Sequence, residues 1–435
     1  MESSKTARKK GLGIRWHLSP LWYHRDFLKV WAGQTISLCG SQVTLLAFPL
    51  TAILVLHASA AQMGFLQAAE FAPFLLIGLA VGVWVDRLPR RPVMIIADIG
   101  RFLLIGCIPL VAVFHILNIY EMYVIAFAVG TLTIFFDVAY RSYLPSLISR
   151  EQLIDGNSKL ELTASAAELI GPGLGGVLIQ LLSAPISLLV DTFSFLLSAL
   201  SLGLIRSNEP PPARPAEQSK LLPEISKGLR LLLRNPLLGP LAWSSINITL
   251  CTNISTAVYI LYATTALHIS PIVLGIIYAV GGVSAIPGAM INNWITQRLG
   301  IGVTAIIAVF IYACGGLLVP LALGPQPIVI AILMLSQFFV GLTFVIWNIN
   351  QLSLRQMLTP NAFLGRVNAS YRFLVWGAIP IGAVIGGGLG TIFGLHTALF
   401  IGAISTMIAP VWMVLSPVRR LRTLPEAPVE DGAEG

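Results

Sequence analysis

The chain has 435 residues, of which 56% are hydrophobic and only 11% charged, with a net charge of +8. A soluble domain carries about a quarter charged residues, so this chain cannot cover itself with a water-compatible surface, and lipid must cover most of it. The basic surplus alone would fit a nucleic-acid partner, but the placement of the charges, set out below, argues against one.

The first apolar run begins after residue 29, is long, and has no small-residue cleavage site behind it, so it reads as a retained helix rather than a signal peptide. Breaks at charges, prolines and glycines predict spans near 30–56, 62–85, 92–115, 121–142, 158–182 and 185–205. A second set falls near 237–263, 271–296, 302–323, 326–353, 364–390 and 393–416. Runs of about twenty residues match a hydrocarbon core of roughly 30 Å crossed at about 1.5 Å per residue. Lipid offers the backbone no hydrogen bonds, and the runs are continuous rather than alternating, so helices and not a barrel are predicted. The fold class is therefore all-α integral membrane with twelve spans.

Residues 1–29 form an N-terminal segment and 30–206 a first bundle. Residues 207–236 link it to a second bundle at 237–416, and 417–435 form a tail. The link opens with "SNEPPPARPAEQ", Ser207 to Gln218, a proline-rich spacer. It continues as "KLLPEISKGLRLLLRN", Lys220 to Asn235, where Leu221, Leu222, Ile225, Leu229, Leu232 and Leu233 share one helical side and Lys227, Arg230 and Arg234 lie away from it. That pattern predicts a short helix in the membrane interface. The tail, with Arg419, Arg420 and Arg422 followed by acidic residues, is expected to be disordered.

The predicted loops at 57–61, 116–120, 183–184, 264–270, 324–325 and 391–392 contain no Lys or Arg. All 27 Lys and Arg residues fall in the termini, in the opposite loops, or in spans near those loops. This positive-inside pattern predicts cytoplasmic termini on both ends of a multi-pass chain in the cell membrane. The basic surplus then faces anionic lipid rather than nucleic acid. Cys39, Cys107, Cys251 and Cys314 each lie in an apolar run and read as small core residues. The six histidines are isolated, and no Walker loop or nucleophile motif is present. No enzyme activity, cofactor or metal is expected, and ATP is not the direct energy source.

Sliding the chain on itself by 211 residues aligns its two halves. Gly64 meets Gly275, Arg87 meets Arg298, Pro109 meets Pro320, Gly130 meets Gly341 and Asn157 meets Asn368. Gly171, Gly175 and Gly176 meet Gly382, Gly386 and Gly387. Glycine, proline and arginine matches at one ungapped offset indicate a repeat. Both copies start on the same side, so the repeats are parallel, the arrangement of the two halves of major facilitator transporters.

The chain here resembles the major facilitator superfamily. "GVWVDRLPRR", from Gly82, is similar to that family's signature between the second and third spans, with Pro89 where glycine usually stands. "GPGLGG", Gly171 to Gly176, is similar to a fifth-span signature associated with antiporters. With "ADIGR" and "AYRSYLPSLISREQLIDGNSKL" it resembles the branch containing macrolide-efflux proteins and enterobactin exporters. The resemblance implies a secondary active exporter, an alternating-access monomer exchanging protons for an amphipathic small molecule of drug, macrolide or siderophore kind. A passive or import-directed facilitator and a non-transporting sensor on the same fold stand as alternatives.

Site residues follow from where charge and polarity interrupt the spans. Arg87, Arg90 and Arg91 form a turn that is either a simple anchor or part of a cytoplasmic gate. The gate reading adds Asp86, whose carboxylate could face a helix dipole. By resemblance that helix is the eleventh, and an arginine pairs with Asp137 at the base of span four, with Arg141 one turn on and Glu161 in span five. Asp98 and Arg101, three residues apart, read as an intrahelical ion pair.

No carboxylate occurs between Glu224 and Glu426, so a proton-coupling acid must lie in the first half. The candidates are Glu168, about 15 Å along its helix, Glu70, about 24 Å from Asp86, and Asp191. Each has the alternative reading of a buried acid bonded to a neighbouring helix. Gly171, Pro172, Gly175 and Gly176 serve either close packing or, by resemblance, leak prevention during exchange. "GPGLGG" is superficially like a dinucleotide loop, but no βαβ unit surrounds it. Gln34, Ser37, Ser41 and Thr44 in span one step along one face, as do Ser245, Thr249, Thr252 and Thr256 in span seven beside Asn253. With Gln337, Asn348 and Asn350 in span ten they are either interhelical glue or cavity lining, and the family lines its cavity with spans one and seven.

Overall fold

A computed structural model describes residues 20–207, 209, 221–360 and 363–422. The predicted segment before residue 20, almost all of the proline-rich spacer and the tail after residue 422 lie outside them. The described residues fold into helices with no strand. In the first half these are α1 (Arg25–Leu54), α2 (Ala60–Leu76), α3 (Gly78–Asp86), α4 (Arg90–Val113), α5 (Ile119–Leu147), α6 (Leu153–Leu182) and α7 (Ala184–Gly203). The linker helix is α8 (Leu221–Arg234). The second half holds α9 (Leu238–Thr265), α10 (Pro271–Leu299), α11 (Ile301–Leu317), α12 (Gln326–Leu358), α13 (Leu364–Phe393), α14 (Leu395–Thr406) and α15 (Ala409–Val414).

Among the described residues, ten helices are long and apolar enough to cross a membrane, counting α14 and α15 as one. The broken pair α2 and α3 makes an eleventh when counted as one span, and the 17-residue α11, apolar but shorter, stands where the remaining predicted span falls. Their outer surface carries residues such as Leu103, Leu110, Val124, Leu181 and Met290, all exposed, which only lipid accepts.

Local sequence sets the helix ends. Ser59 and Gln62 cap α2, and Asn118 and Glu121 cap α5, as reciprocal capping boxes. The turns after α1, α4 and α9 are closed by His57, His115 and His268 in the left-handed region, at φ 50°, 55° and 51°. His57 and His268 are repeat equivalents. So are Ser183 (φ 86°) and Gly394 (φ 87°), which join the fifth span to the sixth and the eleventh to the twelfth.

The two halves repeat each other's packing. α1 packs on α6 and α7, as α9 does on α13 and α14; α2 packs on α5 as α10 does on α12; α4 packs on α5 as α11 does on α12. The halves meet along two reciprocal seams, α2 with α13 and α10 with α6. A Cβ at Gly64 would lie 2.8 Å from the Gly387 Cα, and one at Gly275 would lie 3.0 Å from the Gly176 Cα. These are the glycines that match between the repeats, so each seam is the other's image. The linker helix docks on the second half: Leu232 is buried with Val367 and Ala242, and Gly228 lies against the Arg366 carbonyl.

The cores differ at the two ends. At the end free of Lys and Arg, one apolar cluster runs through both halves, including Leu46, Met63 and Ile179 with Tyr262, Leu274 and Leu333. At the basic end each half has a cluster of its own, one around Met94, Phe136 and Tyr143 and the other around Ala305, Trp347 and Leu354.

Candidate functional site

Between the halves lies a cavity of about 490 Å³, within the roughly 300–1,000 Å³ of small-molecule sites. Its walls are mostly apolar, with Leu45, Phe48, Met63, Phe71, Phe195 and Ile260. The polar groups come from Ser41 and Thr44 on α1, Gln67 and Glu70 on α2, Arg101 on α4, Thr133 on α5, Asp191 on α7, Asn253 and Thr256 on α9, and Tyr278 on α10. Gln67 Nε2 donates to Asn253 Oδ1 at 2.7 Å, a hydrogen bond across the seam. Beside it Ala68, Ala257 and Ala383 form a small-residue contact that lets the helices approach.

The cavity's three ionic groups differ in how far they are satisfied. Asp191 is buried and accepts from Thr44 Oγ1 (2.6 Å), Ser194 Oγ (3.0 Å) and Ser41 Oγ (3.3 Å). Gly40 makes room for it, since a Cβ there would come within 2.7 Å of Asp191 Oδ1. Arg101 Nη2 donates to Asp98 Oδ1 at 2.5 Å. Its guanidinium lies between the rings of Phe136 (4.5 Å) and Phe195 (4.3 Å). Glu70 has no such company. Its side chain is exposed, yet only into the cavity deep in the bundle, and among the described residues it has no hydrogen-bond or ion-pair partner. The close approach of α5 behind it comes from Gly130, where a Cβ would collide with the Glu70 carbonyl oxygen.

The other two coupling candidates are thus placed differently from Glu70: Asp191 is tied to three hydroxyls, and Glu168 lies on α6 outside this cavity. Glu168 is exposed, with Glu161, two turns away on α6, as its charged neighbour. Of the predicted cavity residues, Ser41, Thr44, Asn253 and Thr256 line the space. Gln34 and Ser37 are buried on α1, and Ser245 accepts from the Tyr371 hydroxyl at 2.8 Å. The Thr249 carbonyl accepts from Asn253 at 2.7 Å, Gln337 lines a second cavity, and Asn348 is exposed and accepts from Gln351 at 3.4 Å. Gln67, Arg101 and Tyr278 are additions of the structure. Gln67 could have been found one helical turn before Glu70, whereas Arg101 was masked by reading its pair with Asp98 as purely structural.

At the basic end, Glu209 accepts from the backbone N–H groups of Arg90 (2.8 Å) and Arg91 (3.1 Å), a carboxylate on the N-terminus of α4. Arg91 returns the arrangement by donating to the carbonyls of Leu202 (2.8 Å) and Gly203 (2.7 Å) at the end of α7. Asp86 and Arg87 are exposed, and their side chains make no hydrogen bond or ion pair among the described residues. Asp137 shares a cavity of about 150 Å³ with Arg372 of α13, between Phe74 and Trp376. The cations facing it are Arg101, Arg141 and Arg372, and Arg87 is not one of them. Gly171 lies against Gln42 and Gly175 against Val43, while the Pro172 carbonyl and Gly176 face Gly275, so this stretch wedges α6 between α1 and α10. No cluster of metal-ligating side chains occurs among the described residues.

The family model for the Major Facilitator Superfamily matches residues 30–381. The chain belongs to this superfamily. It is a multi-pass integral membrane transporter of small molecules, not an enzyme. It is 28% identical to the enterobactin exporter EntS of Citrobacter koseri over 96% of this chain and 98% of that one. It is 26% identical to the multidrug efflux pump Tap of Mycolicibacterium fortuitum, over 88% and 93%. Among solved structures, a variant of the nucleoside transporter NupG has a TM-score of 0.73 at 14% identity, over 90% of this chain and 99% of that one. A bacterial homologue of the iron transporter ferroportin in its inward-facing state has 0.67 at 16%, over 90% and 98%. The outward-facing state of a bacterial ferroportin homologue has 0.56 at 16%, with the same coverage.

Proposed function

We propose that this chain is a secondary active exporter in the cell membrane, with both termini cytoplasmic, exchanging protons for amphipathic small molecules of drug, macrolide or siderophore kind by alternating access. The observation that carries the reading is Glu70, a carboxylate with no partner among the described residues in a largely apolar chamber between the halves. A carboxylate so placed can hold either a proton or the positive end of a ligand, and holding one excludes the other. That exclusion is what exchange requires. Asp191 already gives its oxygens to three hydroxyls and shapes the wall; Glu168 takes a secondary part.

The shared core at the Lys/Arg-free end and the separate cores at the basic end support alternation. With the termini in the cytoplasm this is an inward-facing arrangement. The higher TM-score with the inward-facing ferroportin homologue, 0.67 against 0.56, agrees with it. The sequence relatives, an exporter and an efflux pump, support the direction.

The test is a susceptibility panel of drugs and siderophores with and without expression, followed by transport of any hit in proteoliposomes under an imposed pH gradient. Glu70→Gln is expected to abolish the response to the gradient, Asp191→Asn and Glu168→Gln to weaken it. Gradient-driven transport that survives Glu70→Gln rules out the assigned carrier. Transport indifferent to the gradient in the wild type rules out proton coupling.

A further inference from the structure

A second cavity, of about 230 Å³, lies within the second half between α9, α10, α11, α12 and α14. Thr256 and Tyr278 line both this cavity and the central one, so the two share a wall. No charged residue lines it. Most of its hydroxyl protons are spent on the chain. Ser336 donates to the Gly315 carbonyl (2.7 Å), Thr406 to Gly402 (2.8 Å) and Ser255 to Leu399 (3.3 Å). A hydroxyl anchored in this way offers only its acceptor lone pairs to the space. The hydroxyls of Tyr259 and Tyr278 are the exceptions: among the described residues neither makes a hydrogen bond, and that of Tyr259 is buried beside the Gln337 amide. The two rings stand edge-on, 5.9 Å apart at 83°.

We infer that this chamber is a subsite for an uncharged aromatic, hydroxyl-bearing arm of the transported molecule, a phenol or aryl alcohol whose remainder occupies the central cavity. This rests on the central cavity being the transport site. A chamber without a counter-ion rejects a charged group, because burying an unpaired ion is prohibitive. Tyrosine rings, acceptor lone pairs and two hydroxyls with no hydrogen bond among the described residues suit a neutral ring that both donates and accepts. An apolar cavity of about 150 Å³ holds a benzene ring, so about 230 Å³ holds a substituted one. That is below the roughly 300 Å³ at which a drug-sized site begins, which makes the chamber an annex of the larger cavity.

The test uses the full-length protein in lipid nanodiscs and two probes titrated by saturation-transfer NMR, 4-ethylphenol for the chamber and benzyltrimethylammonium for the central cavity. Gly316 lines the chamber, and a Cβ there meets nothing within 4 Å, so Gly316→Leu adds bulk at the chamber wall from an uncrowded position. 4-Ethylphenol is expected to bind wild type and Glu70→Gln alike and to lose at least about tenfold in affinity in Gly316→Leu, with Gly316→Ala between. Tyr259→Phe, which changes no volume, weakens it by about fivefold and decides the matter if the leucine variant fails to fold. Benzyltrimethylammonium binding depends on Glu70 and is unmoved by Gly316→Leu. Phenol binding that is absent from the wild type, or that survives both Gly316→Leu and Tyr259→Phe, overturns the subsite whatever the ammonium probe does. Ammonium binding indifferent to Glu70→Gln overturns the transport-site reading instead.

Discussion

The two halves share one backbone plan and handle charge in opposite ways. In the first half four cations among the described residues meet carboxylates: Lys29 with Asp26, Arg90 with Glu209, Arg101 with Asp98 and Lys159 with Asp155. The second half has no carboxylate from Leu238 to Ser416, and each of its four arginines there lies over an aromatic ring. Arg298 lies 4.3 Å from the Trp294 centroid, Arg355 3.8 Å from Tyr371, Arg366 5.4 Å from Phe363 and Arg372 4.9 Å from Trp376. A ring face stabilises a cation by about 0.5–2 kcal/mol and takes up no proton. Titratable acid chemistry is thereby confined to one wall of the central cavity, and the facing wall offers only amide, hydroxyl and phenol groups.

The largest effect that sharpens this contrast is on transport. Glu70→Gln is expected to reduce gradient-driven flux to background, whereas Asn253→Ala on the opposite wall reduces flux of the same substrate and keeps its dependence on the gradient. Equal loss of gradient dependence in both would erase the division of labour between the walls.

Next comes the stability of the buried cations. Asp98→Asn removes the hydrogen-bonded counter-ion of Arg101, 6% exposed, and leaves it the less direct charges of Asp137 and Asp191; it is expected to cost about 3 kcal/mol in equilibrium unfolding of the reconstituted protein. Tyr371→Leu removes the ring over Arg355 and is expected to cost about 2 kcal/mol, while Tyr371→Phe, which keeps the ring and loses the hydroxyl bond to Ser245, costs about 1 kcal/mol. If the leucine and phenylalanine variants are equally stable, the ring is not what holds the arginine.

The smallest effect uses the repeat itself. Ser183 holds φ 86° and ψ 159° where its counterpart Gly394 holds φ 87° and ψ 156°. This region of backbone space belongs almost solely to glycine, so Ser183→Gly is expected to stabilise by about 1 kcal/mol and Gly394→Ala to destabilise by at least as much. Both changes read out in the same unfolding assay, and a neutral Ser183→Gly would remove the strain argument.

The repeat and the helix inventory were legible because membrane burial forces long apolar runs and because interfacial glycines cannot drift. Gly64, Gly176, Gly275 and Gly387 matched at one offset and turn out to touch in reciprocal pairs. The acid-free second half was equally plain. The break between α2 and α3 was not, since Ile77 sits in an unbroken apolar run. Nor was the approach of Arg372 to Asp137, which joins helices from different halves and leaves no periodic trace in either. The stripe from Gln34 to Thr44 was read as one face, but the structure divides it: Ser41 and Thr44 reach the cavity acid, while Gln34 and Ser37 are buried among neighbouring helices.

The central claim is that the halves rock about a chamber whose acid is Glu70. Pulsed electron resonance on two pairs of spin labels, in a background without the four native cysteines, tests it most directly. One pair sits on His115 and Leu323 at the Lys/Arg-free end, the other on Arg87 and Arg298 at the basic end, all four exposed. Substrate or a change of pH is expected to lengthen the first distance and shorten the second, and Glu70→Gln to hold the populations fixed against pH. Distances at the two ends that stay constant, or that change in the same sense, contradict it.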